Sequence, residues 1–172
     1  MNLKKGLFIT FEGIDGSGKS TQSQLLAKSL ESIGQSVILT REPGGSEGAE
    51  IIRSLLVSGE TDRWSPETEI LLFTAARRDH LEKTIQPALD KNQIVICDRF
   101  VDSTRVYQGV ARADLGKTVD ELHSIIIKKE PDITFIINTD PDKSLLRGLA
   151  RSSGEDRFED FGLDFQKKLK DG

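Results

Sequence analysis

Several residue types are scarce in this 172-residue chain, and each scarcity closes off a class of protein. There is one cysteine, Cys97, so no internal disulfide can form. His80 and His123 are distant from it in the sequence, and the three are not expected to make a Cys/His zinc site. Cys97 sits in the apolar run Ile94-Val95-Ile96-Cys97 and reads as a small core residue. Aromatic residues make up only 6% of the chain, too few for a platform on which single-stranded bases stack. The net charge is −4 and no Lys/Arg-rich run occurs, which argues against a general nucleic-acid partner. No apolar run approaches the ~20 residues needed to span a bilayer. The short apolar stretch after Met1-Asn2-Leu3-Lys4-Lys5 runs into Glu12, so it reads as a strand rather than a signal peptide, and cytoplasm is the default location. With no repeat, low-complexity segment or linker, residues 1–172 are expected to form one domain.

What is present is an alternation of apolar runs and helical patterns. Leu7–Phe11, Val37–Thr40, Ile94–Cys97 and Ile133–Ile137 read as buried strands. Lys19–Ile33 is a helical pattern with Leu25, Leu26, Leu30 and Ile33 assigned to one face, and Gly34 is a plausible stop. A helix carrying Ile51, Ile52, Leu55 and Leu56 follows the second strand. Ser65-Pro66 is an N-cap and first helical turn, opening a long helix that Pro87 should break or bend. Val101–Gln108 is helical, Thr118-Val119-Asp120-Glu121 reads as a capping box, and Asp140-Pro141 caps another helix. A last pattern contains Phe161, Phe165 and Leu169. Continuous apolar strands alternating with helices predict a doubly wound α/β domain with a parallel sheet covered on both faces.

Gly13-Ile14-Asp15-Gly16-Ser17-Gly18-Lys19-Ser20 fits G-x-x-x-x-G-K-[ST] between a strand and a helix, the context a phosphate-binding P-loop requires. Glycines let backbone N–H groups turn inward, and the helix N-terminus adds positive potential. Lys19 is placed to reach the β- and γ-phosphates, and Ser20 to ligand Mg²⁺. Ile94–Cys97 ends in Asp98, a carboxylate that would face the same ion at the carboxyl end of the sheet. A guanine-reading Asn-Lys-x-Asp element is absent.

Three segments then carry a resemblance to the thymidylate kinase family. They are Phe11-Glu12-Gly13-Ile14-Asp15-Gly16-Ser17-Gly18-Lys19-Ser20-Thr21-Gln22, Thr40-Arg41-Glu42-Pro43-Gly44-Gly45, and Asp98-Arg99-Phe100-Val101-Asp102-Ser103-Thr104-Arg105-Val106-Tyr107-Gln108-Gly109. The last departs at Phe100, where tyrosine or histidine is more usual. The resemblance implies a P-loop NTPase-type fold and phosphoryl transfer from ATP to dTMP with Mg²⁺. It makes residues 13–21 the ATP cradle, including Thr21.

On the acceptor side, Phe73 and Arg77 are four apart and share a helix face. The resemblance has Phe73 stack on thymine and Arg77 donate to its O4, which suits a donor-only guanidinium and opposes the amino group of cytosine. Ser103, Thr104 and Gln108 are implied as polar contacts around the base, with Tyr107 beneath the sugar excluding a 2′-OH. Asp15 is implied to bind the 3′-OH and help order Mg²⁺ water, Arg99 and Arg53 the acceptor phosphate, and Glu42 lies near the acceptor. A lid over about 147–159 is expected to bring Arg151 and Arg157 as catalytic arginines, Arg151 at the transition state, because the variable P-loop positions Ile14, Asp15, Gly16 and Ser17 are non-basic. The family continues with another strand and a closing helix, so the sheet is expected to lack its final edge strand and C-terminal helix. A homodimer is left open. The rival readings are a kinase for another pyrimidine monophosphate such as dUMP, and a non-catalytic nucleotide-binding regulator.

Overall fold

A computed structural model describes residues 5–112, 114–149 and 161–171. The strands β1 (Leu7–Glu12), β2 (Val37–Arg41), β3 (Ile94–Asp98) and β4 (Ile133–Ile136) form one parallel sheet in the order β2-β3-β1-β4. Parallel neighbours require crossovers, and helices supply them on both faces. The central strands explain why. Phe8, Val95 and Cys97 face one layer, where they join Ile70, Ile85, Phe100 and Val101. Ile9, Phe11, Ile94 and Ile96 face the other, against Ala27, Leu26 and Leu30 of α1 (Lys19–Ser32). Each of the fully buried Val, Ile and Phe side chains among them contributes about 1.5–3 kcal/mol. The two outer strands depart from the buried strands expected: β2 has no buried residue and an exposed Leu39, and in β4 Ile133, Phe135 and Ile136 are all exposed.

Because the chain leaves β1 and returns to β2 on the far side of β3, the winding direction reverses at β1. Open parallel sheets bind ligands in the crevice at such a point, beyond the carboxyl ends of the strands. Here those ends are Glu12 and Asp98, brought close by the pairing of Phe11 with Asp98.

The helices that line the crevice follow the sequence with some corrections. In α1 the face toward the sheet is Ser23, Leu26, Ala27 and Leu30; Leu25 and Ile33, expected on it, are exposed. Leu25 lies about 100° around the helix from Leu26, and Ile33 is the residue that ends it. α2 spans Glu47–Leu56. α3 (Pro66–His80) starts as expected, with the Ser65 hydroxyl accepting from the Thr68 N–H at 3.2 Å. It does not break at Pro87. It widens into a π turn at Leu81–Ile85, where the Gln86 N–H reaches the Leu81 carbonyl, and continues as α4 (Gln86–Asp90). The widened turn absorbs the proline that a regular ladder would resist.

α5 (Val101–Val106) passes into a second π turn, Tyr107–Arg112. α6 (Gly116–Leu122) starts before the predicted Thr118 cap, with the Val119 N–H donating to the Leu115 carbonyl at 3.1 Å. Leu115, packed on the core, anchors this turn in place of a polar cap. α7 (Pro141–Leu149) is capped by Asp140 Oδ1, which accepts from the Asp142 and Lys143 N–H groups. α8 (Gly162–Asp171) sends Phe165 and Leu169 under the P-loop residue Ile14 and against Tyr107.

Candidate active site

The loop after β1 is shaped by backbone, not side chains. Gly16 has φ 75° and lies so close to α7 that a Cβ there would sit 1.9 Å from the Ser144 carbonyl oxygen. Gly18 (φ 100°) hands the chain into α1, whose first residues therefore keep unpaired N–H groups facing the crevice. Lys19 Nζ donates to the Ile14 carbonyl at 2.7 Å, curling over the loop it will serve. Burial, with the Arg99 charge beside it, brings the ammonium down to about 8. The Ser20 hydroxyl donates to Asp98 Oδ2 across the strand ends. Two hard oxygen donors are thus in contact at the mouth of the cradle, a pairing suited to Mg²⁺.

Next to the loop lies a charged cluster. Arg99 has φ 73°, a left-handed conformation that a non-glycine residue adopts only when neighbours hold it there. Its guanidinium donates to Asp15 Oδ1 at 2.5 Å, to Ser103 Oγ at 2.8 Å and to the Gly13 carbonyl at 3.1 Å. The Tyr107 hydroxyl donates to Asp15 Oδ2 at 2.6 Å. Burial alone raises the Asp15 carboxyl; Arg99, Lys19 and Tyr107 outweigh it and hold the group at about 2. Behind them, buried Glu12 accepts from the Phe100 N–H at 2.7 Å and from Ser103 Oγ at 2.6 Å. Desolvation lifts the Glu12 carboxyl to about 7 despite these donors and Arg99.

The other side of the crevice is built from α2, α3, α5 with the π turn after it, and the loop after β2. Arg77 is buried: its Nε donates to Glu42 Oε2 at 2.7 Å, and its Nη2 to the Phe100 carbonyl and Thr104 Oγ1 at 3.1 and 3.0 Å. Glu42 Oε1 lies 3.0 Å from His80 Nδ1, and His80 Nε2 lies 2.7 Å from Thr40 Oγ1. Arg53 donates to the Pro43 carbonyl at 2.6 Å, and Gln108 Nε2 to Glu69 Oε2 at 3.0 Å.

These parts open on one cleft of about 520 Å³. Its lining includes Asp15, Gly16, Gly18, Lys19, Ser20, Thr21 and Asp98 on the cradle side. Glu42, Arg53, Phe73, Arg77, Arg99, Ser103, Thr104, Tyr107 and Gln108 line the other. Ile14 and Ser17 are buried beneath the loop, with Ile14 packed into the core, and Gly13 is half-buried outside the cleft lining. Arg151 and Arg157 lie outside the described residues. Arg147 does reach the cleft, as does Arg41, a residue the sequence reading passed over although it stands inside the second signature.

Glu12 and Glu69 were also passed over. Their signals were present: a carboxylate closing an apolar strand beside a glycine loop, and a residue four before Phe73 on the same helix face. One separation in sequence proved misleading. His80 is not distant from Cys97, since side-chain atoms of Glu42, His80 and Cys97 lie within 4.8 Å of one another. The trio still does not resemble a prepared metal centre. Arg77 already holds the cationic position on Glu42, and burial pushes the Cys97 thiol up, keeping it protonated.

A phosphate cradle joined to a second, side-chain-lined pocket at the switch point of a parallel sheet defines a P-loop phosphotransferase that acts on a small acceptor. Comparison with known proteins narrows the class. The thymidylate kinase family profile matches residues 11–172. A thymidylate kinase of Dinoroseobacter shibae is 65% identical over 97% of this chain and 81% of its own length. One from Ruegeria pomeroyi is 60% identical over 97% and 79%. The crystal structure of thymidylate kinase from Ehrlichia chaffeensis is 45% identical, covers 91% of this chain and 86% of its own, and superposes with a TM-score of 0.75. The chain belongs to the thymidylate kinase family.

Proposed function

We infer that this cleft transfers the γ-phosphoryl group of ATP to dTMP, giving dTDP for dTTP synthesis. The observation that carries the reading is that the phosphate cradle and Phe73, Arg77 and Gln108 line the same cleft. The acceptor phosphate is already ionised and is itself the nucleophile, so no strong base is needed; catalysis is positioning plus charge neutralisation. Residues 13–21 bind the ATP phosphates, and Lys19 follows the charge that develops on the β- and γ-oxygens. Ser20 and Asp98 would hold Mg²⁺, partly through water; when bound it offsets phosphate charge. Arg99 and Arg53 take the acceptor phosphate. Asp15, fully ionised near neutral pH, accepts from the 3′-OH. The Tyr107 ring lies beneath the sugar, while Phe73 stacks on the base that Arg77, Ser103, Thr104 and Gln108 read. Glu42 acts by bracing Arg77.

The same reading makes residues 1–172 one kinase domain with a lid over about 147–159. Arg151 serves the transition state and Arg157 the ATP phosphates or the closed lid, with Arg147 at its root. The family assignment supports a cytoplasmic enzyme. Among the described residues no helix is long and apolar enough to cross a membrane.

ADP release measured across dTMP, dUMP, dCMP and purine monophosphates tests the reading. The highest kcat/KM is expected with dTMP. Lys19→Ala should lower kcat by ~10³-fold, roughly 4 kcal/mol, while dTMP binding changes little. A folded protein that turns over none of the monophosphates would instead be a nucleotide-binding regulator.

A further inference from the structure

Glu69 has no surface on the cleft and is fully buried behind it, yet it is tied to a residue that lines the cleft. It shares the inner face of α3 with Phe73 and Arg77, at successive four-residue steps. Its Oε2 accepts from Gln108 Nε2 at 3.0 Å. The two ends of a glutamine amide have nearly the same shape and opposite hydrogen-bonding character: one donates, one accepts. Which end faces a ligand is decided by what holds the other. Glu69 Oε2 is the acceptor in this contact, so it draws the amino end of Gln108 toward itself. The carbonyl end, Oε1, is then directed away from Glu69. It is buried and has no hydrogen-bond partner among the described residues. A buried acceptor left unpaired costs about 1–3 kcal/mol, so such a group is matched to a donor on whatever fills the cleft.

We propose that Glu69 is a specificity-determining positioning residue, which locks the Gln108 amide with its carbonyl oxygen toward the nucleobase. In that orientation the cleft reads a ring N–H. Thymine and uracil carry a proton at N3; cytosine presents a bare acceptor there and meets lone pair against lone pair. Glu69 thereby adds to the discrimination of Arg77 at the neighbouring O4 position without touching the substrate. The inference rests on Gln108 being a base contact, and its test separates the two.

The test compares kcat/KM for dTMP, dCMP and N3-methyl-dTMP in the wild type, Glu69→Gln and Gln108→Leu. Ratios are read because they do not depend on how much of each preparation is folded. A glutamine at 69 can offer Gln108 either end of its own amide, so the lock is released. The dTMP:dCMP and dTMP:N3-methyl-dTMP ratios should both fall about tenfold, the worth of one hydrogen bond to the wrong partner. If Gln108→Leu leaves both ratios unchanged, Gln108 is not a base contact and the proposal falls with that reading. If Gln108→Leu lowers them and Glu69→Gln does not, Gln108 reads the base unaided and the role of Glu69 is overturned. Should Glu69→Gln fail to fold, Glu69→Asp and Glu69→Asn put the same question one methylene shorter. The aspartate should keep the ratios and the asparagine lose them; equal ratios in the two would overturn the proposal.

Discussion

The two halves of the cleft are made by different means. The cradle half is a backbone device: glycines with positive φ, the free N–H groups at the start of α1, and one lysine folded onto the loop's own carbonyl. The acceptor half is a side-chain device, where Arg77, Glu42, His80 and Thr40 form a buried chain and Arg99 and Tyr107 reach across to Asp15 of the cradle loop. The difference follows from what each half must recognise. Every nucleotide phosphate offers the same acceptor oxygens, which backbone donors match without information. A particular base and sugar differ from their rivals by single atoms, and only side chains locked in one rotamer can discriminate at that scale. Stability should therefore be invested unevenly, with the acceptor half tied in by buried charged chains and the mouth of the cradle, beyond buried Ile14, Ser17 and Lys19, held by exposed contacts.

The strongest way to break that comparison is to cut the tie. Glu42 and Arg77 are both about 3% exposed, and Glu42→Ala leaves a guanidinium inside the protein without its carboxylate. Unfolding in urea should show a loss of about 3–5 kcal/mol. Ser20→Ala, at the exposed contact with Asp98, should shift stability by no more than ~0.5 kcal/mol. Equal losses in the two variants would show that the halves are not invested differently.

A second prediction uses Glu12, which sits on the seam between the halves. Its folded-state carboxyl is raised from 4.5 to about 7, so between these values the folded protein holds a proton that the unfolded chain has released. Its contribution to stability is fully present below pH 4.5 and is lost as pH rises to 7 and above. Glu12→Gln removes this term. Going from pH 4 to pH 8, the variant should gain on the wild type by about 3 kcal/mol in urea unfolding. A gap that does not change with pH would place the Glu12 carboxyl in its ordinary range and make it a permanently charged anchor for Phe100 and Ser103.

How much of this was legible in the sequence depends on the range of the contacts. The cradle is contiguous, so the motif was enough to place a glycine loop between β1 and α1, where the structure has it. The four-residue spacing of Phe73 and Arg77 predicts a shared helix face, and both residues line the cleft from α3. The ties between elements were not. Glu12 meets Phe100 and Ser103 only because β1 pairs with β3, and Glu42 meets His80 and Cys97 only because the loop after β2 folds against α3. Strand order of this kind leaves no periodic trace. The π turns escaped for another reason: one widened turn leaves the hydrophobic spacing of a helix almost unchanged. The start of α6 went to Leu115 because apolar packing outweighed the local preference of Thr118.

The smallest effect sharpens the comparison most, since it divides one residue into its two functions. The Tyr107 ring has Arg99 5.1 Å from its centroid and meets Phe165 edge-on at 5.9 Å, while its hydroxyl donates to Asp15. Tyr107→Phe keeps the ring and removes the bridge. Asp15 retains Arg99, and its side chain is 22% exposed, so water can take over part of the lost bond. The expected loss is about 1 kcal/mol, a five- to tenfold fall in kcat/KM for dTMP. Asp15 stays ionised near neutral pH because Arg99 remains, so the pH dependence around 7 should not move. The ratio of dTMP to its ribose counterpart should not move either, because the ring proposed to fill the space beneath the sugar is unchanged. Tyr107→Ala should lower that ratio as well as the rate. If the phenylalanine variant relaxes the sugar preference as much as the alanine variant does, the hydroxyl bridge rather than the ring excludes the 2′-OH. If it alters neither rate nor ratio, the bridge to Asp15 is idle in catalysis, and the acceptor half is less tightly wired than its hydrogen bonds imply.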